Sequence, residues 1–237
     1  MPANTITCAD LMTAVRRRAD MENSTFVTEL EIRSYINVAM AELHDILVQK
    51  FEDYYIDSST TYTLPISGNK GTLPDSFYKM LGVDFAAGGS TYRVRPYKFQ
   101  ERNMYGKVAT FSGIANNLTY HVQGNEIHFR PANGLPTGTI RLFYIPEADQ
   151  FATDGSTDSE ELKTNNRAIA FGYEEYIVID AAIKCLLKEE SDVSVHMAQR
   201  ESARRRIEEA AGKRDAGEPY AISDVTTGTA ISDFYSR

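Results

Sequence analysis

Two histidines near the middle of the chain are the residues whose type and spacing could do chemistry. His121 and His128 flank Gln123-Gly-Asn125, a stretch that predicts a tight hairpin because glycine and asparagine tolerate positive φ. On opposite arms of a hairpin the two rings could approach each other and hold a transition metal. No cysteine or carboxylate motif accompanies them, so ordinary strand histidines are the simpler interpretation.

Other signatures of catalysis or ligand binding are absent from the sequence. There is no G-x-S-x-G and no H-E-x-x-H motif, which would indicate a serine hydrolase or a zinc peptidase. Gly68-Asn-Lys-Gly71 lacks the spacing of a phosphate-binding loop and predicts a turn. Acids between Asp149 and Glu161 lack the order of an EF-hand, which leaves only a looser cation site open. We therefore expect no cofactor, no metal and no enzymatic activity.

The composition excludes several classes of protein. The 237 residues carry a net charge of −8, and the mean field of such a chain repels phosphate, which disfavours general binding to nucleic acids or anionic membranes. Cys8 and Cys185 lie too far apart for a disulfide framework, so we expect two reduced thiols. Nothing near Met1 resembles a signal peptide, and no apolar run reaches membrane-spanning length.

A run of three arginines, Arg204 to Arg206, raises the question of DNA binding again. On a helix the three side chains fan over roughly 200° of arc, so they cannot form one patch. Six bases and five acids alternate between Arg200 and Pro219, which favours a solvated, ion-paired face over a DNA-binding one. The same face could bind a charged partner protein, and its candidate contacts are Arg204, Arg205 and Glu208.

Helices are predicted at both ends of the chain. Capping boxes begin at Thr7 and at Thr28, and the second opens a long amphipathic helix. Residues 173–187 are apolar around almost the whole circumference, which predicts a buried helix on which Asp180 and Lys184 pair. A last helix is predicted from Asp192 to about Ala211, with Gly212 as its stop.

Between these helices the hydrophobic period changes from 3.6 to 2, which predicts antiparallel strands. We therefore predict an α+β fold: an antiparallel helical bundle with an inserted antiparallel β domain and an extended C-terminal tail. The predicted boundaries are 1–51 and 167–213 for the helical bundle, 52–148 for the β domain, 149–166 for an exposed acidic loop and 214–237 for the tail.

Two segments outside these elements are candidates for partner contacts. Long loops commonly contact another molecule or are disordered, and the tail carries spaced apolar residues that could add a strand to a partner's sheet or dock in its grooves. A frayed terminus remains the alternative for the tail. The loop candidates are Asp154, Asp158, Glu160 and Glu161; the tail candidates are Ile222, Val225, Ile231, Phe234 and Tyr235.

Three blocks of the chain resemble the head-to-tail adaptor (connector) proteins of tailed bacteriophages. The blocks are Thr72–Asp84 (TLPDSFYKMLGVD), Tyr92–Asn103 (YRVRPYKFQERN), and Glu174–Ser194 followed by Arg214–Pro219. The order helix, sheet, helix and tail adds to the resemblance, which extends over most of the chain.

The resemblance implies a homo-oligomeric ring, commonly of twelve copies, at the head–tail junction of a virion, built from chains made in the host cytoplasm. In such a ring the helical part would line or surround the channel, through which DNA passes without sequence-specific binding. Residues 216–237 would reach onto the portal protein, and the β domain would face neighbouring subunits or tail proteins. No membrane is implied.

Two other functions stay open at this point. The aromatic β domain could belong to a tail-associated module that binds carbohydrate, which exposed Tyr or Phe side chains stacked on one sheet face would favour. A hydrolase or nuclease could use His121, His128 and the acidic loop, which metal-dependent turnover lost in His128→Ala would support.

Overall fold

The computed structural model describes residues 6–51, 55–102, 118–131, 134–162, 170 and 172–211. Within them the chain has an α+β fold with four helices and two four-stranded sheets. The helices are α1 (Cys8–Arg18), α2 (Glu29–Lys50), α3 (Glu174–Lys188) and α4 (Ser194–Ala211). The strands are β1 (Thr61–Leu64), β2 (Lys70–Thr72), β3 (Phe77–Ala87), β4 (Ser90–Arg93), β5 (Arg95–Pro96), β6 (Thr119–Gln123), β7 (Glu126–Arg130) and β8 (Gly138–Pro146).

Both predicted capping boxes are confirmed. The Thr7 side chain accepts a hydrogen bond from the Asp10 amide, and the Asp10 carboxylate accepts one from the Thr7 amide; Thr28 and Glu31 repeat the arrangement. These reciprocal bonds satisfy amides that the first helical turn leaves without partners. None of the described helices combines the length and apolarity needed to cross a bilayer.

The two sheets have strand orders β1-β8-β3-β4 and β2-β7-β6-β5. The predicted hairpin is confirmed, because β6 and β7 pair around Gly124, whose φ is +56°. The expectation of purely antiparallel pairing is wrong at one point: β5 runs parallel to β6. A parallel pair needs a long crossover rather than a tight turn, and residues 97–118 separate these two strands.

The predicted turn at Gly68–Gly71 is only partly correct, because its last residues begin β2 and pair with β7. Glycine is required at position 71 by close packing, since a Cβ atom there would lie 2.9 Å from the Tyr62 ring. The last helix begins at Ser194, two residues later than predicted. The Asp192 carboxylate accepts a hydrogen bond from the Ser194 amide at its start.

The buried apolar side chains of the described residues form two separate clusters. All four helices contribute to the first, whose largest buried side chains include Leu11, Leu43 and Tyr176. The facing sheets enclose the second, around Phe85 and Phe129. The strands therefore form a separate β layer whose side chains pack mainly on one another.

The acidic stretch after β8 is not exposed along its whole length, contrary to the prediction. Phe151 and Leu162 are fully buried in the helical cluster. The Asn37 side chain holds the Phe151 backbone with two 2.8 Å hydrogen bonds, one from its amide to the carbonyl and one from the Phe151 N–H to its oxygen. Two apolar anchors thus tie the stretch to the helices and leave its acids at the surface.

Candidate functional site

The α4 surface is ion-paired, as its interleaved acids predict. Arg204 contacts Glu208 at 3.0 Å, Arg205 contacts Glu201 at 3.5 Å, and Arg206 reaches Glu175 on α3 at 2.6 Å. Each arginine of the run therefore has a carboxylate partner within the chain, and little positive charge is left over for a polyanion. A second contact of Glu208, to Lys50 on α2 at 3.5 Å, joins this face to its neighbour.

Beside this face, a partly exposed charge network centred on one buried acid joins α4 to α3 and α2. Asp180 on α3 is almost fully buried and contacts both Lys184 and Arg200, the latter at 2.8 Å. Arg200 also contacts Glu42 on α2 at 2.5 Å. Burial raises the pKa of the Tyr176 hydroxyl, which lies 3.4 Å from Glu42.

The sequence predicted the Asp180–Lys184 pair but not the part played by Glu42. Glu42 lies 158 residues before Arg200, so no local pattern could have indicated that they meet. Glu42 connects α2 to α4 only because the tertiary fold brings it next to Arg200.

The acidic loop candidates differ in what they already bind. Asp158 accepts two hydrogen bonds from Arg33, at 2.7 and 2.5 Å, and this guanidinium holds the pKa of the carboxyl below its usual range. Arg33 itself is buried. Asp154 accepts a hydrogen bond from the Ser156 amide, which lowers its pKa, and it belongs to an exposed turn. Asp158 is therefore part of the fold, whereas Asp154 faces solvent.

The remaining loop candidates lie where the loop meets the first helix. Glu161 forms an isolated β-bridge with Thr7, and the Glu160 carbonyl accepts a hydrogen bond from the Cys8 amide. Their backbones are fixed against the start of α1. A partner that contacts this loop would therefore meet an ordered surface.

The two histidines face each other across the hairpin as register partners. His128 lies 3.4 Å from Glu126, and the His121 ring stacks at 5.3 Å from Tyr97. Among the described residues no group of three or more His, Cys, Asp or Glu side chains is arranged to hold a metal ion. The pair therefore has structural contacts that account for its position.

Exposed aromatic side chains are scattered over separate elements. Phe26 lies between α1 and α2, Tyr78 on β3, Tyr92 on β4 and Phe99 in the turn after β5. The Tyr78 hydroxyl donates to Asp45 on α2 at 2.8 Å. These four side chains do not form the single stacked face that carbohydrate binding would favour.

An apolar groove runs between α1 and α3. It has a volume of about 270 Å³ and is lined by Leu11, Ala14, Val178 and Ile179, with Arg18 and Glu174 at its rim. A groove of this kind can accept apolar side chains of another chain. All five tail candidates lie outside the described residues, so their role as contacts stays a prediction.

Comparison with models of protein families identifies the family of this chain. The family model described as SU10 adaptor protein matches residues 6–223, which includes every described helix and strand. The chain belongs to this family. SU10 adaptor proteins are structural head–tail adaptors of phages, so the predicted resemblance is confirmed. No curated protein matches the chain.

Membership of the SU10 adaptor family changes what the charged surfaces mean. The family assembles with other capsid and tail proteins of a virion, so the relevant chemistry is that of protein interfaces. In this SU10 adaptor, three described surfaces are candidates for such interfaces: the loop around Asp154, the α4 face and the groove between α1 and α3.

Proposed function

We propose that this chain forms a ring at the head–tail junction of a phage virion, continues the DNA channel and docks tail proteins. In this proposal the ring attaches to the portal through the C-terminal tail and catalyses no reaction. The observation that carries the proposal is the SU10 adaptor match over residues 6–223.

Several physical features support a ring. Weak heterologous contacts repeated around a closed circle sum to a stable assembly without any strong single interface. Twelve copies is the number that the resemblance implies. The loop acids Asp154, Glu160 and Glu161 and the α4 residues Arg204, Arg205 and Glu208 are the proposed partner contacts, and the helices are proposed to form an antiparallel bundle.

The anchoring of α4 supports attachment through the tail. The chain leaves the described residues at Ala211, the last residue of α4. Arg200 fixes this helix to Asp180 and Glu42. A tail that begins at a fixed helix can transmit contact with another ring to the rest of the subunit, and an extended tail adapts where two rings differ in symmetry.

Portal capture tests the proposal. Deletion of residues 221–237 should leave the helical circular dichroism and the urea midpoint unchanged but abolish capture by the portal protein of the same phage. A matched control replaces the tail threonines 226, 227 and 229 with serine, which keeps the apolar anchors, and should be captured normally. Capture of the truncated chain at full strength would contradict the proposal.

A further inference from the structure

The net charge of this protein is unevenly distributed. Residues 52–148 contain nine basic and eight acidic side chains, whereas the rest of the chain contains sixteen basic and twenty-five acidic ones. The net charge of −8 thus combines +1 in the strand-rich segment with −9 elsewhere. Repulsion of phosphate is therefore weaker at the β layer than at the rest of the chain.

A basic strip runs along the edges of both sheets. It consists of Arg93, Arg95, Lys98 and Arg102, while Val94 and Tyr97 between them are buried. β4 is an edge strand of the first sheet and β5 an edge strand of the second. Arg93 and Arg95 lie on these edge strands, and Lys98 and Arg102 follow at the two ends of the turn Phe99–Glu101.

The cations of the basic strip have no ion-pair partner among the described residues. Arg93 lies opposite Asp84 in the strand register, yet the two form no ion pair. Arg102 instead lies over the ring of Phe99, 4.5 Å from its centroid, and that ring is half exposed. The contrast with α4, where each arginine of the run has a carboxylate, shows that charge here is available for a ligand.

The neighbouring strands place two further polar side chains beside this region. Thr119 pairs with Arg95 on one side and with Arg130 on the other. The Arg130 Nε and the Thr119 Oγ1 are buried and have no hydrogen-bond partner within the described part of the chain. Both atoms are enclosed by the fold, so the groups that can reach a ligand are the exposed cations of the strip.

We propose that the basic strip binds the phosphate backbone of DNA. Arg93 and Arg95 lie on extended chain, roughly 6.6 Å apart, and Lys98 and Arg102 follow around the turn Phe99–Glu101, so four cations within ten residues can contact a polyanion. The half-exposed Phe99 ring beneath Arg102 holds that guanidinium near the surface. An acidic polypeptide could pair with the same sheet edges, so binding of polyglutamate without binding of duplex would contradict the proposal.

This inference rests on the proposed DNA channel and changes which part of the subunit meets the DNA. The β layer would contact the phosphates, whereas the resemblance assigned that place to the helical part. The acidic remainder of the chain keeps each contact weak, as a conduit requires, because the −9 charge opposes extended wrapping.

A pair of charge-matched double variants tests the basic strip. R93Q/R95Q removes two cations of the strip, and R204Q/R205Q removes two paired cations of α4, so both change the net charge equally. Binding of a labelled 30-base-pair duplex is followed by fluorescence anisotropy between about 20 and 150 mM salt, the range in which phosphate contacts weaken steeply. The strip variant should bind about tenfold more weakly, with a salt slope smaller by about 2; the α4 variant should stay within about twofold of the parent.

Three outcomes would overturn the inference: equal loss in both variants, no duplex binding by the parent chain, or binding of labelled polyglutamate to the strip without binding of duplex. Unchanged urea midpoints confirm that each variant is folded. Portal capture separates this inference from the proposed function, because R93Q/R95Q should be captured normally. A parent chain that binds portal but not DNA would leave the proposed function intact and remove only the strip.

Discussion

The Arg200 guanidinium on α4 contacts the Asp180 carboxylate on α3, with 2.8 Å between Nε and Oδ1, and the Asp180 side chain is only 2% exposed. Lys184, one turn further along α3, contacts the same carboxylate. A buried carboxylate is tolerated only with such partners, since an unpaired buried charge is costly. Few apolar side chains of α4 are buried, chiefly Ala203 and Ile207, so this contact determines where the helix lies.

Removing the buried acid should weaken the helical part strongly. Asp180→Ala removes the central partner of Arg200 and Lys184, which both keep a contact with Glu42, and we expect a loss of about 1–3 kcal/mol in the free energy of unfolding. Urea unfolding followed by circular dichroism measures it. Glu201→Ala, which breaks only the exposed pair with Arg205, should cost less than about 1 kcal/mol. Equal losses in the two variants would show that the charge network does not hold α4.

Two carboxylates of the same loop should respond differently to the same chemical change. Asp158→Asn weakens the acceptor of the buried Arg33 and should cost about 1–3 kcal/mol. Asp154→Asn changes an exposed turn residue and should stay within about 0.5 kcal/mol. The free energies of unfolding in urea distinguish the two. An Asp158→Asn variant as stable as the parent chain would mean that Glu29, which lies 3.2 Å from Arg33, is enough to pair the buried guanidinium.

Lowering the pH should remove the stability that the capping box of Thr28 and Glu31 contributes to the fold. Lys188, 2.6 Å away, and then the Thr28 amide and hydroxyl lower the pKa of Glu31 to about 2. A carboxyl whose pKa is depressed by folding stabilises the fold above its ordinary value, near 4.5, and loses that contribution as the pH falls towards 2.

The test compares the parent chain with Glu31→Gln. The variant should be less stable at pH 7, and the difference in urea midpoint should shrink between about pH 4.5 and 2. Lys188→Met removes the largest cause of the shift and should show the same pH dependence. A difference that is constant over this range would contradict the assignment to Glu31.

The buried thiol on α3 should react slowly. Burial raises the pKa of Cys185 to about 11, and only the thiolate reacts with a disulfide reagent. In a Cys8→Ala background, labelling at pH 8 should be on the order of a hundredfold slower in the native chain than in urea. Rapid stoichiometric labelling of the native chain would show that α3 opens readily.

The sequence was sufficient for those elements whose signals are local. Capping boxes place an acid three residues after a threonine, so the starts of α1 and α2 could be predicted from a few positions. The hairpin at Gly124 was equally local. The ion-paired α4 face followed from the spacing of Arg205 and Glu201, because the i,i+4 geometry of a helix is fixed.

Features that depend on distant residues could not be predicted. Phe151 lies in an acidic stretch and is buried only because Asn37 on α2 binds its backbone. β5 is two residues long and gains its place by pairing with β6. The basic strip could not be predicted from the net charge of the whole chain, because a total of −8 does not show a local excess of cations.

The way α4 is held also determines how a subunit bears mechanical load. Any pull on the chain beyond Ala211 enters the fold along α4, a helix secured mainly by salt bridges to Asp180 and Glu42. In the proposed attachment through the tail, tension would reach the contacts of Arg200 with Asp180 and Glu42 before it reached the strands.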